Sequence, residues 1–254
     1  MSHWYDTEGN PRYEVEGKKG IRASTLRDAR KHGWVPSATS IWGDVIARPM
    51  LNNWIQTELM KALWAETRST PIMSEPKGFD ECEKLARARY SKQQQEIMGR
   101  GTSIHDDLEK YFSGQDTPRD NMYLCDNVAR VLEVICGDNR WVAEKSFAHP
   151  SGYGGKVDLH SDEWVVDFKT KDFPPEPDVK KMVYDDQGCQ LAAYDQGLGG
   201  GRRLLNVFID AKTGAVLEWE HKDVDRFRDM FNHALALWKL VKKYDSSFLD
   251  RRIM

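Results

Sequence analysis

Asp158, Asp167 and Lys169 fall within the stretch Gly152 to Lys171, which reads Gly-Tyr-Gly-Gly-Lys-Val-Asp-Leu-His-Ser-Asp-Glu-Trp-Val-Val-Asp-Phe-Lys-Thr-Lys. Two carboxylates beside a lysine can hold a divalent cation and manage a nucleophilic water, the parts needed to cut a phosphodiester. Hard cations such as Mg²⁺ or Mn²⁺ take oxygen ligands, and one or two carboxylates plus substrate phosphate suffice. Such an ion lowers the pKa of a bound water and offsets charge on the phosphorus. Lys169 would orient or help deprotonate that water, or stabilise the developing negative charge. Taken alone, an Asp-x-Lys pair is ordinary surface charge on a solvated strand. Its company changes that reading.

The elements that must position this trio follow from local pattern. Lys156-Val-Asp-Leu-His160 alternates polar and apolar, as does the second half of Trp164-Val-Val-Asp-Phe-Lys169. Alternation over so short a run predicts strands with one face toward a core. His160-Ser-Asp-Glu163 is a polar interval short enough for a hairpin turn. Residues two apart on a strand share a face about 6–7 Å apart. Asp167 and Lys169 then point one way, while Trp164, Val166 and Phe168 point the other. Asp158 is expected to face Asp167 across the hairpin.

Further segments join them. Gln187-Gly-Cys-Gln190-Leu-Ala-Ala-Tyr194 lies in a helical run, with Gln190 and Tyr194 four apart on one face. Gly99-Arg100-Gly101-Thr-Ser-Ile-His105 leads into Ile104, Leu108, Tyr111 and Phe112 at helical spacing. Ser103 and Asp106 suit a capping box, which would put His105 in a first turn. A helical histidine is more often structural than a ligand. Trp141-Val-Ala-Glu144-Lys-Ser-Phe147 reads as another strand with one acid.

The order Gly-x-x-x-His, strand Glu, Gly-x-x-Asp, Asp-Phe-Lys-Thr, Gln-x-x-x-Tyr resembles the PD-(D/E)XK nuclease superfamily, and within it the RecB-like exonucleases of phages and of mitochondrial genome maintenance. The resemblance covers about Gly99 to Tyr194, and more loosely Val35-Pro-Ser37-Ala-Thr39-Ser-Ile-Trp42. It implies a restriction-endonuclease-like α/β fold, a mixed central sheet flanked by helices. It implies a metal held by His105, Asp158, Asp167 and the main-chain carbonyl of Phe168, with Lys169 as catalytic lysine. Gln190 and Tyr194 would support the site or touch DNA, and Glu144 matches the strand acid. Thr170 and Lys171 resemble a phosphate-contacting extension. Ser37, Thr39 and Arg100 are further candidate DNA contacts. Relatives with an iron–sulfur cluster carry one early cysteine and a closely spaced C-terminal trio. Cys82, Cys125, Cys136 and Cys189 are scattered, so no cluster is expected.

Composition sets the bounds. No Cys-x-x-Cys pair suggests zinc. No apolar run reaches the ~18 residues of a membrane span, and none resembles a signal peptide. The expectation is a cytoplasmic protein with free thiols, in the host cell cytoplasm if it is phage-encoded. The chain has 254 residues, 40% hydrophobic and 30% charged, with nine tryptophans and a net charge of −3. Residues 101–200 hold 10 Lys and Arg against 19 Asp and Glu, whereas the flanks carry 16 against 13 and 11 against 8. The acidic middle contains the trio, and the flanks could supply a phosphate-facing groove.

The remaining pattern predicts a polar, loosely packed arm to about Gly20, helices over Ser24–His32, Pro49–Thr67, Phe79–Met98, Met122–Cys136 and Asp223–Tyr244, and strands over 204–209 and 215–219. Ser69 to Gly78 reads as a linker. This gives a helical elaboration over 1–98, an arch candidate, and a nuclease core over 99–254. Helical spacing assigns Trp54 and Trp64 to a core, leaving Trp34 and Trp42 as the candidates for stacking on unpaired bases. Expected substrates are single-stranded or free DNA ends, with a replication or recombination protein as partner. Two alternatives stand beside exonuclease action: a structure-selective endonuclease on the same scaffold, and a catalytically silent DNA-binding module.

Overall fold

The computed structural model describes residues 3–18, 20–47, 49–69 and 76–248. In chain order the elements are β1 (Trp4–Tyr5), β2 (Glu14–Gly17), β3 (Gly20–Ala23), α1 (Leu26–His32), β4 (Val35–Pro36), α2 (Ala38–Val45), α3 (Pro49–Ser69), α4 (Pro76–Phe112), α5 (Arg119–Cys136), β5 (Val142–His149), β6 (Tyr153–His160), β7 (Trp164–Lys171), α6 (Asp185–Gly197), β8 (Arg203–Asp210), β9 (Val216–His221) and α7 (Val224–Lys242). A short 3-10 turn, Val179–Lys181, precedes α6.

β5 to β9 form one mixed sheet in sequence order. The pairs β5–β6, β6–β7 and β8–β9 are antiparallel, whereas β7 and β8 run parallel over eight residues. A parallel neighbour requires a crossover, and α6 lies on it. The chain is therefore a mixed α/β fold around a five-stranded sheet.

Each face of the sheet buries its own core. Tyr153, Val157, Val165 and Leu204 pack with Ile41, Leu191, Phe231 and Trp238 from α2, α6 and α7. Leu159, Trp164, Val166, Phe168, Leu205, Val207 and Ile209 pack with Ile104 and Leu108 of α4 and Leu124, Val128 and Leu132 of α5. Trp164, Val166 and Phe168 thus share a face and Val165 takes the other, as the alternation predicts. Ser161 closes the β6–β7 turn by accepting hydrogen bonds from the amides of Glu163 and Trp164 at 3.2 and 3.1 Å.

Chain contacts divide the molecule into two units, 1–46 with 104–254, and 47–103. The boundary expected at 98/99 lies within α4. Among the described residues the expected arm is packed at Trp4 and Tyr5, which are buried and pair as β1 with β4. Tyr244 donates to the carbonyls of Ala29 and Trp34 at 3.1 and 2.8 Å, and Trp238 donates to Asp44 at 3.0 Å. Aromatic burial holds this segment on the sheet-bearing unit, which polar composition alone concealed.

The 47–103 unit contains α3 and the first part of α4, tied by Arg89 to Glu66 at 2.9 Å. The linker expected over Ser69–Gly78 lies largely outside the described residues. Trp54 and Trp64 are exposed, at 46% and 68%, and so do not form the core expected of them. α4 runs unbroken through Gly99 and Gly101, since a helical glycine costs only about 1 kcal/mol relative to alanine. Ser103 and Asp106 therefore form no capping box, and His105 lies well inside α4 instead of in a first turn.

Candidate active site

β7 carries Asp167 and Lys169 on the face covered by α6, and β6 brings Asp158 beside them. The β6–β7 ladder pairs His160 with Val165 and Leu159 with Val166, then stops. Continued by one step it would place Asp158 opposite Asp167. The strands part there instead, and Asp158 Oδ2 accepts the Phe168 backbone N–H at 2.8 Å. A side chain thus satisfies an amide that the ladder leaves unpaired.

Asp167 is buried and held on every side. Its Oδ1 accepts from Lys169 Nζ at 2.9 Å and from Gln190 Nε2 at 2.7 Å. Its Oδ2 accepts from Asn206 Nδ2 at 2.7 Å and lies 2.7 Å from Lys169 Nζ. Gln190 also accepts from Lys169 through Oε1 at 3.3 Å and donates to the Tyr194 hydroxyl at 3.0 Å. The i, i+4 spacing puts both side chains on one face of α6, and that face meets the sheet. His105 Nδ1 stands 3.5 Å from Asp158 Oδ2, and its ring meets the edge of Phe168.

Charge within the cluster is unevenly balanced. Burial raises the pKa of Asp167, and repulsion from Asp158 adds to it beyond what Lys169 offsets. Asp158 is held below its ordinary range because His105, Lys169 and the Phe168 amide outweigh burial. Lys169 is pushed up: the two aspartates overcome its own desolvation. His105 is raised in the same way by Asp158 and Asp167. Tyr194 stays a neutral phenol, its pKa driven far up by burial.

The donor set of two carboxylates and an imidazole, with a carbonyl at Phe168, suits a hard divalent cation in type. The buried Asp158–Asp167 pair, whose mutual repulsion keeps Asp167 raised, suits one in charge. Among the described residues no three His, Cys, Asp or Glu side chains converge closely enough to form a metal-holding group. Both oxygens of Asp167 are turned to Lys169, Gln190 and Asn206. The residues fit a cation in chemistry, with the lysine ammonium standing against the carboxylate it would neutralise.

The other expected residues are dispersed. Glu144 falls opposite Asp158 by the register of its neighbours but is paired with Lys156. It adopts a left-handed backbone, φ 55°, which costs a non-glycine residue about 1–3 kcal/mol. At this level the alternation slips: Phe147 and Val157 pack on the α6 side, Ala143 and Leu159 on the α5 side. Ser37 is buried as the N-cap of α2, accepting the Ser40 amide at 3.1 Å, and bridges Gly154. Thr39 is exposed. Trp42, only 6% exposed, packs in the core, so it offers no free ring for stacking. Trp34 is partly buried and stacks on His32. Arg100 lies exposed in the other unit. Thr170 has a buried hydroxyl without a partner. Lys171 donates to the Met182 carbonyl at 3.0 Å and sits over the rings of Tyr184 and Phe208.

Several residues of the site escaped the sequence reading. Asp186 lies one turn before Gln190, so 186, 190 and 194 share a helical face, and its charge raises the pKa of Lys169. That spacing was readable. Asn206 and His221 carried no such signal. Tyr5 and Tyr13 join hydroxyls at 2.9 Å, and both influence Tyr194 or are influenced by it. Gly155 abuts Tyr194, where a Cβ would come within 2.6 Å of the ring.

No protein-family model matches this chain. No curated protein matches it either. Among solved structures it is similar to SSO0001, at 16% identity and a TM-score of 0.29, over 47% of this chain and 58% of that one. It therefore spans little more than half the length of SSO0001. It is also similar to an alkaline exonuclease (LHK-Exo) from Laribacter hongkongensis, at 13% identity and a TM-score of 0.33, over 55% of this chain and 80% of that one. Neither likeness is close enough to assign chemistry, which rests on the site itself. Among the described residues, no helix is long and apolar enough to cross a membrane.

Proposed function

We propose that this protein is a metal-dependent deoxyribonuclease of the PD-(D/E)XK type that hydrolyses phosphodiester bonds from DNA ends, with single-stranded ends preferred. The observation that carries the reading is the convergence of Asp158, Asp167 and Lys169 where β6 and β7 part, with Gln190 and Tyr194 closing over them from α6. Asp158, Asp167, His105 and the Phe168 carbonyl would hold Mg²⁺ or Mn²⁺, which supplies charge neutralisation at phosphorus and a more acidic water. Lys169, kept cationic by two aspartates, is suited to orienting the nucleophile or steadying charge on the phosphate oxygens. Gln190 restrains both Lys169 and Asp167. Tyr194, held neutral, can donate through its hydroxyl hydrogen while accepting from Gln190.

End-labelled single- and double-stranded oligonucleotides, incubated with Mg²⁺, Mn²⁺ or a chelator, test the reading. Shortening of the labelled strand that needs the ion is expected, and Asp167→Ala or Lys169→Ala should lower it by orders of magnitude while DNA binding survives. Equal cleavage in the chelator, or by the variants, refutes it. Closed single-stranded circles separate exonuclease from endonuclease action: circles should resist. Binding without cleavage under any ion would favour the silent DNA-binding module.

A further inference from the structure

Asn206 is fully buried on β8, in register with Asp167 of the parallel strand β7. Its Nδ2 donates to Asp167 Oδ2 at 2.7 Å and reaches the Asp167 carbonyl at 3.3 Å. Its Oδ1 lies 2.7 Å from His221 Nε2, on β9. His221 is buried too, edge-on to Phe227. Because a carboxylate only accepts, the amide NH₂ must face Asp167. The amide oxygen then faces His221, whose Nε2 must carry the hydrogen. The three groups form one directed chain, His221 to Asn206 to Asp167.

The neighbours Leu204, Leu205, Val207 and Phe208 are all buried. An apolar residue at 206 would suit these neighbours, but it would leave Asp167 Oδ2 and His221 Nε2 buried and without the partner that Asn206 gives them, a costly outcome. The amide does something leucine could not: it grips the carboxylate oxygen opposite the one held by Gln190. We propose that Asn206, backed by His221, is a positioning residue that fixes the Asp167 carboxylate in the orientation required for cation binding and phosphodiester hydrolysis. This rests on the metal-dependent nuclease reading and extends it to two residues of strands β8 and β9. Groups behind a metal ligand set its orientation, and losing one typically costs about 10–100-fold in affinity or activity.

The test uses the full chain, Mn²⁺ titration by calorimetry, and kinetics on labelled single-stranded DNA. Asn206→Leu should weaken Mn²⁺ binding and lower kcat by about 10–100-fold each, with KM for DNA little changed; the metal-free Tm should fall as well, because two buried polar groups lose their partner. His221→Gln, which keeps a donor, should stay near wild type, whereas His221→Phe should share the defect. Adding His221→Phe to Asn206→Leu should cost nothing more, because the chain is already broken. A purely structural role would lower Tm and leave Mn²⁺ affinity intact, overturning the proposal. So would Asn206→Leu with wild-type affinity and kcat. Should Asn206→Leu fail to fold, the His221→Gln and His221→Phe pair decides alone: equal behaviour overturns it. Wild-type protein that neither binds Mn²⁺ nor cleaves DNA sinks the nuclease reading first and the positioning role with it.

Discussion

His221 makes stability depend on pH in a way that can be worked out from its surroundings. Burial depresses its pKa from 6.5 to about 4, with the charge of Asp185 opposing only weakly. The native state therefore favours the neutral ring, and the unfolded chain binds more protons between those two values. Stability from this group is complete above about pH 6.5 and falls as pH drops toward 4. Between about pH 7.5 and pH 4.5 the linkage amounts to about 2–3 kcal/mol. His221→Gln can still donate to Asn206 Oδ1 but does not titrate. Urea unfolding of both proteins at the two pH values isolates the group, because every other titration is common to both. The wild type should lose about 2–3 kcal/mol more than the variant on acidification. If the two stability curves run parallel, burial does not hold the ring neutral in the folded protein and the reasoning from its surroundings fails.

Three further outcomes follow from the geometry. Gly155→Ala drives a Cβ to 2.6 Å from the Tyr194 ring and 2.9 Å from Phe147, so stability should fall by about 1–3 kcal/mol and kcat should fall with it, read by thermal unfolding and oligonucleotide digestion. Lys169→Met leaves Asp167 buried without its cation, and the raised pKa of that carboxyl must rise further. A raised carboxyl pKa stabilises the fold at low pH and is lost as pH climbs, so the deficit of this variant against wild type should shrink on acidification, measured by denaturant unfolding across pH. Trp64→Ala should shift stability by less than about 0.5 kcal/mol, whereas Trp238→Ala, in the core beside Trp4, should cost about 3–5 kcal/mol.

What the sequence disclosed was what periodicity governs locally. The β6–β7 hairpin, its Ser161 turn and the Gln190–Tyr194 face of α6 depend on spacings of two and four, and they stand where those spacings put them. Helical spacing at Trp54 and Trp64 indicated a face but could not say whether anything covers it, and both rings are exposed. Gly99 and Gly101 suggested a helix boundary, yet two glycines weigh little against a helix of 37 residues. Glu144 was legible as an acid on a strand. Its left-handed backbone was not, because a slip in alternation shared by two paired strands leaves no trace in either one. Asn206 and His221 looked like ordinary strand residues. Their link to Asp167 exists only once the crossover through α6 sets β8 parallel to β7, a pairing between residues 39 positions apart.

The same divergence of strands explains why Asp158, Asp167 and Lys169 sit where they do. Strand β7 remains bonded to β8 along its whole length, so Asp167 and Lys169 keep a fixed register on that side. On the other side β6 lets go after Leu159. A continuous ladder would have spent the Phe168 amide on a backbone carbonyl. Parting the strands leaves the amide to Asp158, whose Oδ2 accepts it at 2.8 Å. Glu144, with φ 55°, stands where the alternation of the β5–β6 pair slips. A glycine at 144 would adopt φ 55° without strain, so Glu144→Gly should relieve backbone strain while removing the partner of Lys156. The sign of its effect on Tm decides which matters more. A rise of a degree or more places the strain uppermost, and a fall places the pairing of Glu144 with Lys156 above it.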